Sequence, residues 1–320
     1  MRSDSYRQVV RRLRLRHLEL LDELGTCASV SEAAQRLNLS QSAVSKMLAD
    51  IEQAYGMVLF ARSKQGITPL AQGLTAIQGA RLVLNDLAAI SERMETIQEG
   101  SVGLLRVGTF STVALMANGL TAFHAKRPGM MTRIREGSPR ELLPLLLAGE
   151  LDCIVGTLPI EALSESELDT LSFEVLAEDR ICVMAAPDHK LRALKKIKWK
   201  QVQNERWMLP VHGTLMRSAF IHAFLSNKLR PPHAEVEVTS PITMRWLIRS
   251  NPDCLGIMRW QQAREEIAEG YLSELPMEFN PPLAPLSLIA RKVISSENEV
   301  LDAFRLELLA EARRLGAARP

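Results

Sequence analysis

Leu15, Leu18, Leu21 and Leu24 recur at three-residue steps, and Gly25 follows them. That spacing predicts a helix over 16–24 with one apolar face, stopped by the glycine. A short second helix is expected next. Ser29 or Ser31 supplies its cap, Glu32 lies three residues beyond Ser29 as in a capping box, and Ala33, Ala34 and Leu37 form a small, close-packing face. After a break at 38–40, Ala43, Val44, Met47, Leu48 and Ile51 keep a three-to-four spacing and share one side of a third helix. Ser40 reads as its cap, and the polar Gln41, Ser42, Ser45 and Lys46 stand together near its N-terminal end.

Two helices joined by a tight turn, the second with polar residues at its start, form a helix-turn-helix layout whose second helix enters a DNA major groove. The stretch GMVLFARSKQGITP adds a β-prone run, a basic tip at Arg62 and Lys64, and a turn at Gly66, which together read as a wing. From Pro69, a good first residue for a helix, to about residue 99 the chain has no helix breaker beyond two glycines. Leu70, Leu74, Ile77, Leu84, Leu87, Ile90, Met94 and Ile97 form a stripe along a helix of about 45 Å. The stripe is covered either by a second copy, the more economical solution, or by the chain's own C-terminal part.

Beyond 100–103 the periodicity changes to alternating short strands and helices. Strands are expected at 104–108, 130–136, 151–156, 173–188, 206–210, 234–238, 254–260 and 285–291. Helices are expected at 112–126, 139–149, 214–226, 241–251 and from Glu297 onward. An acidic, serine-containing stretch at 161–169 and a proline-rich one at 279–285 read as connectors between two α/β lobes. Ligands bind such folds at the carboxyl ends of parallel strands.

Composition adds little beyond a soluble globular chain of 320 residues, 47% hydrophobic and 24% charged, with a net charge of +2. The charge is unevenly placed: residues 1–70 carry ten lysines and arginines against seven acids, with six arginines between Arg2 and Arg16. No apolar segment reaches bilayer-spanning length, and no export signal is legible at the N-terminus, so a cytoplasmic location is expected. Cys27, Cys153, Cys182 and Cys254 lack a CxxC pairing and are expected to be buried free thiols, with a redox or zinc role as the alternative.

The segment AAQRLNLSQSAVSKMLADIEQAYGMVLFARS, followed by GITPLAQG, closely resembles the winged helix-turn-helix of the LysR-type transcriptional regulators. The resemblance extends over almost all of the chain, with two departures. Ser42 stands where the family often has proline, and the wing is left through TPLAQG rather than Thr-x-Ala-Gly. The implied fold class is α/β: a winged helix-turn-helix at 1–69, a linker and dimerisation helix at 70–99, and an effector-binding domain at 100–320 resembling periplasmic binding proteins. Lobe one of that domain takes about 101–170 and 280–320, and lobe two about 171–279. The implied partners are double-stranded promoter DNA at an interrupted palindrome, a small-molecule effector, further copies in a homodimer or homotetramer, and RNA polymerase. No cofactor, metal or membrane is implied.

For DNA, Gln41, Ser42, Ser45 and Lys46 are placed to reach base edges or phosphates, and Arg62 and Lys64 to reach the minor groove or the backbone. Arg36 is as easily a plain surface charge. For the effector, the candidates are polar residues at strand ends: Thr109, Ser111, Thr112, Ser138 and Thr157 in one lobe, and His212, Gly213, Thr214 and Thr239 in the other. Each also serves as an ordinary helix cap or turn residue in any α/β protein. A solute receptor without a DNA role would share the lobes but has no use for a wing. An enzyme would need a constellation such as G-x-S-x-G, a phosphate loop or H-E-x-x-H, and none of these is found.

Overall fold

The computed structural model describes residues 9, 11–63, 66–98, 100–110, 114–158, 163–292 and 299–316. The chain divides into two compact units, one comprising residues 1–106 with 129–132 and 143–152, the other the remainder.

In the first unit, α1 (Leu15–Leu24), α2 (Val30–Arg36) and α3 (Gln41–Tyr55) precede a two-stranded wing, β1 (Phe60–Ser63) and β2 (Gly66–Pro69), and the long α4 (Ala71–Gln98). The predicted apolar faces meet in one core: Leu20, Leu21, Leu24, Ala33, Ala34, Val44, Leu48 and Ile51 are buried together with Leu59, Phe60 and Ile67 of the wing. Ser29 caps α2, its hydroxyl accepting from the Glu32 N–H at 3.1 Å. The Glu32 carboxylate reaches back only as far as the Ala28 N–H, at 2.9 Å. The turn between α2 and α3 passes through Asn38 at φ +54°, one of the few side chains that tolerate the left-handed region.

Pro69 does not open the long helix as expected. It ends β2, paired with Phe60, and α4 begins two residues later. The wing exit ends at Gly73, where no side chain fits, because a Cβ there would lie 2.1 Å from the Leu59 carbonyl oxygen. The first turns of α4 bury Ala76, Ile77 and Ala80 in the winged-helix core, and Arg81 is tied to Asp22 at 2.6 Å. Leu74 in the first turns, and Leu87, Ile90, Met94 and Ile97 further along, are exposed. Ile77 therefore leaves the predicted stripe, which remains open over most of its length.

The strand β3 (Gly103–Thr109) leads into α5 (Ala114–Lys126), β4 (Met130–Glu136), α6 (Pro139–Leu147), β5 (Cys153–Gly156), α7 (Glu165–Thr170) and β6 (Leu171–Ala185). Then come β7 (Arg206–Pro210), α8 (Leu215–Ser226), β8 (Val236–Val238), α9 (Pro241–Ser250), β9 (Cys254–Arg259) and α10 (Trp260–Ala268). The chain continues through β10 (Ser273–Glu274), β11 (Pro282–Arg291) and α11 (Glu299–Gly316). The strands hydrogen-bond in the order β4-β3-β5-β11-β6-β9-β7-β8, with β10 on β6.

β3 and β5 run parallel in one lobe, and β7 runs parallel to β8 and β9 in the other. β6 belongs to both lobes: its first half pairs with β11 and its second half with β9. In lobe two, Trp199, Trp207, Phe220 and Phe224 interlock edge-to-face at 4.8–6.3 Å on one side of the sheet. Met208, Met244, Ile248 and Met258 fill the other side. In lobe one, Phe123 meets Phe304 at 5.8 Å.

Three expectations change here. The described part of the acidic connector holds α7, because Ser164 and Glu167 form a complete capping box. The proline-rich connector becomes strand from Pro282, since register shifts between Leu283, Leu286 and Ser287 let prolines sit at the irregularity. Helix α10, absent from the predicted elements, follows β9 directly.

Candidate nucleic-acid interface and interlobe site

Helix α3 is built as the apolar spacing requires. Val44, Leu48 and Ile51 have no exposure, while Gln41, Ser42 and Lys46 are exposed and Ser45 is half-buried. Ser40 is the N-cap, its hydroxyl accepting from the Ala43 N–H at 3.2 Å. The Ser42 hydroxyl lies 3.0 Å from that of Ser40, which places it at the cap as well as on the exposed turn. Glu52, on the far end of α3, accepts from the Leu59 N–H at 2.8 Å and so fixes where the wing departs. Arg62 is exposed on β1, whereas Lys64 lies outside the described residues. Arg36 is held by Glu32 at 2.8 Å and Glu23 at 3.4 Å, a surface ion cluster rather than a projecting charge.

At the strand ends of lobe one, Thr109 is buried and donates its hydroxyl to the Val155 carbonyl oxygen at 3.0 Å. Thr157 is buried on the neighbouring strand's exit. Its hydroxyl donates to the Pro285 carbonyl at 3.3 Å and accepts from Arg259 Nη2 at 2.8 Å. Ser138 is exposed, and both its N–H and its hydroxyl lie 2.7 Å from Glu141 Oε2. These two donors hold the Glu141 carboxyl below the usual glutamate range. Ser111 and Thr112 lie outside the described residues.

In lobe two, β7 and β8 end side by side, with Pro210 opposite Val238. His212, Gly213 and Thr214 follow β7, and Thr239 follows β8. Gly213 turns the chain at φ +82°. Thr214 is the N-cap of α8: its hydroxyl accepts from the Arg217 N–H at 3.2 Å and donates to the Val211 carbonyl at 3.0 Å. His212 is 69% exposed, and its Nε2 lies 3.4 Å from Glu237 and 3.2 Å from Arg217 Nη2. Thr239 is exposed, one residue before the α9 cap Ser240.

Sequence reasoning missed Arg217. It is 5% exposed and donates Nη1 to the Pro210 carbonyl at 3.1 Å, so it organises the ends of both strands. A signal existed: Arg217 shares a helix face with Phe220 and Phe224, where a charge stays only if it has partners. Arg259 was missed too. It ion-pairs with buried Asp179 at 2.8 Å, where burial pushes the carboxyl up against the pull of Arg259 and three backbone N–H donors.

A DNA-reading helix with its wing, followed by an α/β pair of lobes whose polar strand ends carry helix caps, defines a ligand-responsive transcription factor. The LysR substrate binding domain family matches residues 98–312, and the bacterial regulatory helix-turn-helix protein, lysR family, matches residues 15–74. The HTH-type transcriptional regulator CfxR of Cupriavidus necator is 30% identical over 97% of this chain and 97% of its own. Full-length OxyR from Pseudomonas aeruginosa superposes with a TM-score of 0.58 at 21% identity, covering 92% of this chain and 97% of that one. Full-length CbnR complexed with its target DNA gives 0.51 at 19% identity over 94% and 100%.

The chain belongs to the LysR family of helix-turn-helix transcriptional regulators. Among the described residues no helix is long and apolar enough to cross a membrane.

Proposed function

We propose that the protein binds an interrupted palindrome near a promoter as a homodimer or homotetramer and adjusts transcription by RNA polymerase in response to a small-molecule effector. The observation that carries this reading is the division of α3. One side lies in the winged-helix core while Gln41, Ser42 and Lys46 stay bare at the end that enters a groove. Arg62 and Lys64 in the wing add backbone or minor-groove contacts. The open stripe of α4, Leu87, Ile90, Met94 and Ile97, pairs with the same stripe of a second copy, spacing two recognition helices for two half-sites.

The effector binds between the lobes, against the strand ends that carry Thr109, Ser138 and Thr157 on one side and His212, Gly213, Thr214 and Thr239 on the other. Thr109 and Thr157 shape that wall through hydroxyls already bonded within the fold, whereas His212 and Thr239 are exposed. Binding shifts the population between two quaternary states, changing the spacing of the DNA-binding domains. The reading places the protein in the cytoplasm with its DNA and gives it no catalytic role.

A thermal-shift screen of metabolites on the full chain finds the effector, because a ligand of the folded state stabilises it by mass action. Footprints on DNA fragments enriched by the protein then change in extent when that compound is added. Footprints and bend angles identical with and without it would sink the mechanism.

A further inference from the structure

We infer that α10 is an interlobe latch: a helix rooted in lobe two that holds lobe one at two separate points and sets the angle at which the lobes rest. Its root is the crossing strand β6. Asp179 Oδ1 accepts from the Gln261 N–H at 3.4 Å, and Gln261 Nε2 donates to the Glu178 carbonyl at 2.9 Å. The first fastening is Arg259, the residue at the N-cap position of α10. Its guanidinium pairs with Asp179 at 2.8 Å and donates to the Thr157 hydroxyl at 2.8 Å. Thr157 in turn donates to the Pro285 carbonyl at 3.3 Å, inside the stretch of β11 where the pairing with β6 slips register between Leu283 and Leu286. That irregularity lies in the second crossing strand, where a ladder is weakest and a bend is absorbed most easily.

The second fastening is Glu265, whose Oε1 accepts from the Ala114 N–H at 2.8 Å at the start of α5. A carboxylate suits that position, because the first N–H groups of a helix lack intrahelical acceptors and the dipole favours negative charge. Arg259, at the N-cap position of α10, and Glu265 within it are six residues apart, about 9 Å along the helix axis. One attachment would leave the lobes free to turn about it, and two at that separation oppose the rotation.

Resting on the reading that an effector enters between the lobes, the latch places its two bonds where that molecule arrives: at Thr157 and at the α5 terminus. Entry is then coupled to release of α10, which is the differential contact a two-state switch requires.

The test is a distance measurement on the full chain without any effector. Ala125 on α5 and Leu225 on α8 are exposed, one in each lobe, and take spin labels as Ala125→Cys and Leu225→Cys. The native Cys27, Cys153, Cys182 and Cys254 are buried. Labelled chain is diluted with unlabelled chain, so that only pairs within one protomer contribute to the electron-electron distance distribution. In Glu265→Ala and in Arg259→Met a second population at a different distance appears, each lost charge-assisted bond shifting the ratio of the two states by about tenfold. Glu265→Gln, which keeps an acceptor for Ala114, shifts it less. Circular-dichroism melts confirm that each variant compared is folded.

Distributions that superimpose on wild type in the folded variants would overturn the latch. Altered distributions together with no stabilising compound in the metabolite screen would support the latch and count against the effector site alone.

Discussion

Gln41→Ala tests the proposed base reading apart from everything else the winged helix does. Gln41 is exposed in the first turn of α3, and among the described residues its side chain forms no hydrogen bond. The helix start is held by Ser40, whose hydroxyl accepts from the Ala43 N–H, so the substitution leaves the cap in place. Alanine is at least as good a helix former as glutamine, and the change in folding stability stays within about 0.5 kcal/mol. A bidentate side-chain contact to a base discriminates by about 1–3 kcal/mol, so one half-site loses about 5- to 150-fold in specific affinity. A protein engaging two half-sites loses the product of two such factors.

Because glutamine is neutral, affinity for random DNA and the slope of log affinity against log salt stay unchanged. Lys46→Ala provides the contrast: if Lys46 neutralises a phosphate, the slope falls by about 0.9 per contact on both DNAs. The assay is fluorescence anisotropy at several salt concentrations, with a fragment enriched from genomic DNA by the wild-type chain set against a random duplex of equal length. Equal losses for Gln41→Ala on both duplexes, or a changed salt slope, would remove this residue from base readout.

Two further expectations concern the fold around the site. Asp152 is 5% exposed and holds Arg106 Nη2 at 2.9 Å, with the Arg106 side chain itself only 10% exposed. Asp152→Ala strands that charge, lowers stability by about 3–5 kcal/mol and shifts a urea midpoint downward, whereas an unchanged midpoint would mean the pair contributes nothing. Ser138 donates twice to Glu141 and keeps its carboxyl below the ordinary value of 4.5. A depressed folded pKa adds stability that is present above the unfolded value and is lost as pH falls through the folded one. Ser138→Ala removes one donor, so the Glu141 titration followed by carbon-detected NMR moves back toward 4.5, and an unmoved midpoint would show that the hydroxyl does not matter.

The sequence by itself determined the elements whose signals are local. The recognition helix begins at Gln41 because a serine cap, a turn residue and a three-to-four apolar spacing all fall within fifteen residues. The strands 130–136 and 206–210 were legible for the same reason, as short apolar or β-branched runs between breakers. The exposed face of α3 could be drawn in advance, since a helix that buries one face leaves the other on a known set of positions.

Tertiary structure decided what depends on residues far apart. Pro69 looks like a helix opener until its pairing with Phe60 puts it in a strand, and Gly73 has no visible purpose until the Leu59 carbonyl approaches it. Ile77 leaves the exposed stripe because the winged-helix core takes it. The strand-end threonines were legible as positions. That Thr157 is claimed by Arg259, 102 residues away, and the start of α5 by Glu265, 151 residues away, was not. Burial and hydrogen bonding across that much chain leave no periodicity to read, because each partner obeys only its own local pattern and the fold alone brings them within bonding distance.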